Sequence, residues 1–257
     1  MFKSKILYLI PPVLSLATGY TLALVSILRG KPHRERVMLA LICVWWTLIS
    51  WVFVAHVVFT DLSLVLRVER AVHTLYIFAP AVSLLFFQMI TGFKNRTVLY
   101  SAFITAAAFE PFVHTGYYIS GFHHYSWGII AKGGPAFSLF ALYGTLVTFY
   151  IFYLFIKKLR TEKNKVVRLK INYLFVSYFL SVILTLSNLP AINGIGTYPL
   201  SNFIFIPLAI LTYGILRYRL IEISSVLHMA IIWVVLSSVV VLPNLLIFFY
   251  IGEMYSQ

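Results

Sequence analysis

Few side chains in this sequence could do chemistry, and they are unevenly placed. Among 257 residues there are only seven Asp and Glu and seven His. Five of the histidines, His56, His73, His114, His123 and His124, fall toward one end of long apolar runs or in the segment 119–135. Glu110 stands about twelve residues into one such run, roughly 18 Å from its start at about 1.5 Å per residue. An ionisable group at that depth is costly, and marks a functional site by default. Ala102, Ala106, Glu110 and His114 recur every fourth residue, which puts them on one broad helix face, and small residues mark faces where helices approach closely. The spacing predicts that Glu110 points inward, with His114 and with His73 or Arg70 of the preceding run as partners. It then either contacts a ligand or fixes packing beside Pro111. Trp127 and His56 complete the candidate ligand-binding set, because aromatics supply contact area while a few polar groups fix orientation. The same aromatics suit an interfacial belt, which accounts for Tyr117, Tyr118 and Tyr125 but not for Glu110 or His73.

Sharper chemistries find no residues to carry them. A metal centre asks for three or four convergent ligands, and the adjacent pair His123 and His124 does not supply them. There is no His-Glu-x-x-His or Gly-x-Ser-x-Gly motif and no Gly-rich phosphate loop. No Lys falls inside an apolar run where a retinal Schiff base would need it. Cys43 is the sole cysteine, so no intrachain disulfide can form. Neither a metal nor another cofactor is expected.

The elements that must position these residues are long apolar helices. With 61% hydrophobic and 11% charged residues, the chain departs from the about 25% charge of ordinary globular domains. A helix crosses a hydrocarbon core with about 20 apolar residues. Stretches of that kind lie at 6–28, 37–60, 68–91, 98–118, 136–156, 171–190, 199–216 and 226–251. The fold class expected is all-α, a polytopic membrane helix bundle of seven helices plus an eighth span. The segments between spans, among them 61–67 and 119–135, read as loops too short for a separate soluble domain. Prolines at 80, 111, 207 and 243 sit mid-span, where each removes a backbone hydrogen bond and tends to kink its helix.

The net charge of +13 is topological. Alternate loops at 29–36, 94–96, 157–170 and 217–219 carry fifteen Lys and Arg, against five in the others. The positive-inside rule then places the N-terminus outside and the loop 157–170 in the cytoplasm. The basic residues meet anionic lipid, not nucleic acid. The first apolar run is longer than the 7–15 residues of a signal peptide, so it reads as a span.

Two motifs then carry a resemblance. The segment Tyr125–Pro135 (YSWGIIAKGGP) places Trp127-Gly128 and Gly134-Pro135 before the fifth helix. Pro190 ends the sixth, before a loop with Gly194 and Gly196, and the seventh runs into Arg217-Tyr218-Arg219-Leu220. This pattern resembles the N-terminal seven-helix sensor region of bacterial histidine kinases. The resemblance implies a sensory input domain at 1–225 in the bacterial cytoplasmic membrane, with Arg217, Tyr218, Arg219 and Leu220 passing a signal inward. Its implied partners are a small ligand, the bilayer, a cytoplasmic output domain or kinase, and a second copy in a homodimer. No catalytic residue is assigned, because kinase elements are absent from these residues. The segment 226–257 reads as a further helix leading toward more chain. A small transporter or channel subunit is the competing reading, since transporters place ionisable groups and broken helices at the midplane. A membrane enzyme would need a catalytic cluster that the sequence does not display.

Overall fold

The computed structural model describes residues 2–28 and 34–217. The expected eighth span, together with Tyr218, Arg219 and Leu220, lies outside the described residues. The chain runs α1 (Phe2–Leu28), α2 (Arg34–Val58), α3 (Leu62–Tyr76), α4 (Ala79–Thr91) and α5 (Arg96–Val113). A hairpin follows, β1 (Ile119–Tyr125) and β2 (Gly128–Gly133), then α6 (Pro135–Thr161), α7 (Lys165–Leu186), the short α8 (Asn188–Ile192) and α9 (Phe205–Arg217). A 3-10 turn at Leu200–Phe203 leads into α9.

Among the described residues, five stretches are long and apolar enough to cross a membrane: Leu7–Ile27, Arg36–Val58, Leu62–Thr91, Pro135–Thr161 and Lys165–Ile192. The helix expected to reach residue 118 stops at Val113, just after Pro111, and the run expected at 199–216 is a 3-10 turn at Leu200–Phe203 followed by α9 to Arg217. Along α6 the large residues Leu139, Leu142, Leu146, Phe149 and Tyr153 are all exposed. An apolar stripe on the outside of a bundle fits a hydrocarbon surround better than water.

Two segments read as loops are ordered elements. Residues 62–67 belong to α3, which starts where Asp61 caps it by accepting from the backbone N–H of Ser63 at 2.8 Å. That N–H, with the Ser63 hydroxyl, holds the Asp61 carboxyl below its usual range. Residues 119–133 form an antiparallel hairpin closed at Tyr125 and Gly128, so the chain is mostly helical but not purely α. Pro80 does break its span: α3 ends at Tyr76, two residues turn, and α4 begins with Pro80 in its first turn.

Close approaches fix the hairpin. Tyr125 Oη donates to the Ala191 carbonyl at 2.8 Å and its ring stacks on Trp127 at 5.2 Å. Gly128 has φ +153°, and a Cβ there would sit 3.0 Å from the His56 carbonyl oxygen. At Gly134 a Cβ would run into the Tyr117 carbonyl oxygen, where the chain folds back so that Gly134 N–H reaches Tyr118 O at 2.9 Å. Backbone cannot yield as a flexible side chain does. Gly134→Ala is therefore expected to cost about 1–3 kcal/mol, read as a lowered unfolding temperature of the purified chain.

The helices are stitched by side-chain to backbone hydrogen bonds. Tyr143 Oη donates to Ala102 O at 2.9 Å, tying α6 to α5, and Ser177 Oγ to Pro207 O at 2.7 Å, tying α7 to α9. Tyr198 Oη donates to Tyr8 O at 2.8 Å, and burial pushes the phenol up to about 12. Phe87 packs at the centre of the core, 4.9 Å from Phe155 and 4.7 Å from Tyr178 between ring centroids.

Candidate functional site: a buried His–Glu–His cluster in an apolar cavity

The amphipathic helix α3 buries Val65, Glu69 and His73. These are spaced by four, so about 80° of helix surface covers all three at 100° per residue. Glu69 is thereby carried into the interior at 1% exposure, although Arg67 two residues earlier stays outside. The C-terminal end of α2 meets it there. His56 Nε2 lies 2.6 Å from Glu69 Oε1, with both side chains almost completely buried. His73 Nδ1 lies 3.0 Å from Glu69 Oε2 and also 3.0 Å from the backbone oxygen of Glu69. Both oxygens accept, so Nδ1 carries the proton, and its hydrogen bond goes to the backbone oxygen. Glu69 Oε2 is left buried without a hydrogen bond. His56 and His73 thus turn their nitrogens toward one carboxylate rather than toward a shared centre.

This cluster forms one end of a cavity of about 430 Å³, within the 300–1,000 Å³ range of small-molecule sites. The walls come from α2, α3, α4, α6, α7, α8 and the hairpin, and are mainly apolar, with Val52, Phe140, Phe152 and Tyr178 among them. Tyr118, fully buried and 5.5 Å from His73 between ring centroids, and Asn188 add polar groups. Four polar atoms of these lining residues are buried without a hydrogen-bond partner among the described residues: His56 Nδ1, Glu69 Oε2, Tyr118 Oη and Asn188 Oδ1. Buried polar atoms nearly always find partners. Four orphans among the residues that line one cavity set this end apart from its apolar remainder. The cavity runs out between α6 and α7, where Phe149, Phe179, Ile183 and Leu186 both line it and stand exposed.

No protein-family model, curated protein or solved structure matches this chain. The functional reading therefore rests on this geometry and on the sequence.

The structure distributes the residues expected from sequence over four places. His56 and His73 line the cavity together. Trp127 is buried but outside the lining; it packs with Phe53, Ile130 and Ala191 and holds the hairpin against the bundle. Glu110 and His114 do not point inward, which corrects the expectation. Their side chains are 40% and 51% exposed, and His114 Nε2 is shared between Glu110 Oε1 at 3.2 Å and Thr74 Oγ1 at 3.3 Å. So α5 does reach α3, but through Thr74 rather than His73 or Arg70. Arg70 is half-buried, away from the cavity lining, with its Nε hydrogen-bonded to nothing among the described residues.

Helix rotation explains the error. Relative to Ala102, a stripe spaced by four turns about 40° per step and puts Ala106 at about 40°, Glu110 at about 80° and His114 at about 120°. The buried face is set by Ala102, Ala106 and Val113, and Val113 lies only about 20° from Ala102. Glu110 is thus at the rim and His114 beyond it. Glu110→Gln is expected to leave ligand occupancy of the cavity unchanged, measured by the labelling described below.

Glu69 and Tyr118 fall among the polar and aromatic residues that the sequence places near the histidines, but the central role of Glu69 and the presence of Asn188 were missed. A signal for Glu69 existed: Glu69 and His73 are four apart, on a helix whose charged residues otherwise fall on one side.

Proposed function

We propose that the chain is a membrane-embedded sensory input module, in which a small apolar ligand occupies the interior cavity and shifts the packing of α7 and α9. The observation that carries this reading is the cavity itself, apolar along its length and furnished at one end with buried, unpartnered polar atoms. Its mouth between α6 and α7 faces the surround, so the ligand is membrane-borne. A ligand drives such a shift by binding one arrangement of helices better than the other. The resemblance to the seven-helix sensor region of histidine kinases agrees with this reading, and supplies a cytoplasmic output as the receiver. Arg217 closes α9, at the point where the sequence runs into Tyr218-Arg219-Leu220. A seven-helix bundle with its N-terminus outside follows from the Lys and Arg distribution.

Spin labels at Lys165 on α7 and Tyr213 on α9, in a background where Cys43 is replaced by alanine, test the coupling. Filling the cavity with Ala141→Trp should shift the interlabel distance by about 1–2 Å, the scale of helix displacements in signalling bundles. An unchanged distance distribution would sink the sensory reading. Orientation is checked separately. Cys43 is fully buried, so it gives little background to an impermeant maleimide. The reagent should modify Lys132→Cys from outside and miss Lys163→Cys; the reverse pattern overturns the topology.

A further inference from the structure

We infer that the cavity, of about 430 Å³, selects a small guest with an uncharged hydroxyl head on an apolar body. The inference rests on the reading of the cavity as a ligand site and names the chemistry of what enters it.

The argument begins with charge. One carboxylate with two neutral imidazoles carries a net negative charge, and one further proton brings the cluster to zero. In an apolar interior the neutral cluster is favoured, because an uncompensated buried charge is expensive. The 2.6 Å separation of His56 Nε2 and Glu69 Oε1 places that proton between these two atoms. Whichever of them holds it, His56 then also carries a proton on Nδ1. The site therefore presents one unpartnered donor, His56 Nδ1–H, and one unpartnered acceptor, Glu69 Oε2.

The two atoms lie on opposite sides of the imidazole, whose Nε2 is turned to Glu69, so a single hydroxyl meets one of them. It donates its hydrogen to Glu69 Oε2 and accepts at its oxygen from Tyr118 Oη, also unpartnered among the described residues. A carboxylate head would face Glu69 Oε2 with like charge and nothing to donate. A quaternary ammonium would leave every orphan acceptor without a hydrogen bond and bring a net charge into the neutral cluster. The apolar mouth between α6 and α7 imposes no charge requirement of its own, and a neutral amphiphile already dissolved in the bilayer reaches it without crossing water. Long-chain alcohols and hydroxylated ring systems share this chemistry.

The test uses the full chain in phosphatidylcholine nanodiscs. Three probes are compared: dodecyl chains with a mid-chain diazirine, ending in a hydroxyl, a carboxylate or a trimethylammonium. Labelling of the peptide with Phe152, inside the cavity, is divided by labelling at Ile104, which is exposed on the outer face. The ratio cancels partitioning into the disc. The alcohol should exceed the other two about tenfold, the equivalent of about 1.4 kcal/mol. Ala141→Trp should abolish its cavity labelling. Tyr118→Phe removes a hydroxyl that bonds to nothing among the described residues. It should keep the unfolding temperature while lowering the alcohol ratio about threefold or more, the loss of one hydrogen bond. A free choice of dodecanol, dodecanoate or dodecyltrimethylammonium as unlabelled competitor should reproduce the ranking. Preference for the carboxylate or ammonium probe overturns the hydroxyl assignment while leaving the cavity a ligand site. Equal ratios for all probes, unaffected by Ala141→Trp, overturn both.

Discussion

Glu69→Ala should destabilise the folded chain by about 3–5 kcal/mol, the cost of removing one partner from a buried charged pair. The size follows from what is left behind. His56 Nε2 and His73 Nδ1 both face Glu69 oxygens in the interior. Without the carboxylate, His56 loses the one side-chain hydrogen bond it makes among the described residues and faces a void. Glu69→Gln is milder, because an amide oxygen still accepts from one imidazole. The glutamine should retain most of the stability yet lose the alcohol's advantage in the cavity, since its NH₂ would displace the acceptor that the hydroxyl needs. Thermal unfolding of both variants in the same nanodiscs measures the first claim, and the probe ratio measures the second. If Glu69→Ala unfolds within about 1 kcal/mol of the parent, the cluster is not the buried, interdependent unit described, because an orphaned buried partner alone costs about that much or more.

The large features of the fold were legible in the sequence, because they follow from apolar runs of a given length. Helix α2 covers 34–58 where 37–60 was expected, and α6 starts one residue from its expected start. What was lost was lost to local chemistry. Residues 61–67 carry Asp61 and Arg67, and charge reads as loop when spans are found by hydropathy alone. An N-cap and an amphipathic helix use the same residues, and the helix that begins at Leu62 is the one that carries Glu69 inward. Reading the helix from 68 onward hid Val65, and with it the stripe Val65–Glu69–His73. The hairpin escaped for a different reason. Its strands Ile119–Tyr125 and Gly128–Gly133 hold three glycines and two adjacent histidines, which lack the alternation that marks a strand. Gly128 is there for close backbone approach to α2, and Gly134, just after the second strand, for approach to the Tyr117 carbonyl, a tertiary requirement that no local pattern states.

Glu110 is conspicuous because it is isolated in an apolar run, and the stripe it shares with Ala102 and Ala106 points it inward only if the drift of about 40° per step is neglected. Depth is set by position along the axis and direction by rotation about it. The two are independent, so the most conspicuous carboxylate landed on the rim while the less conspicuous Glu69 reached the interior. His56 and His73 were identifiable as residue types, but their convergence on one carboxylate required the α2–α3 turn at 59–61 to fold the two helices back on each other.

Stability and recognition should come apart in a second large substitution, Phe87→Ala. Phe87 is fully buried, packed against Phe86, Phe155 and Tyr178, and does not line the cavity. In water such a truncation costs about 3–5 kcal/mol, combining a transfer term with a void term. In the lipid surround proposed for this chain, the unfolded helices also sit among apolar groups and the transfer term largely disappears. The void term remains: roughly 100 Å³ at about 24 cal/mol per Å³ gives about 2.4 kcal/mol. Phe87→Ala should therefore lower the unfolding temperature substantially while the folded fraction keeps the alcohol's labelling preference, because no atom of the His56–Glu69–His73 cluster or of Tyr118 has been touched. Glu69→Gln should do the opposite, sparing most of the stability and losing the preference. If both variants lose preference in proportion to their loss of stability, recognition is a general property of a well-packed bundle, and the polar end of the cavity has no selective role.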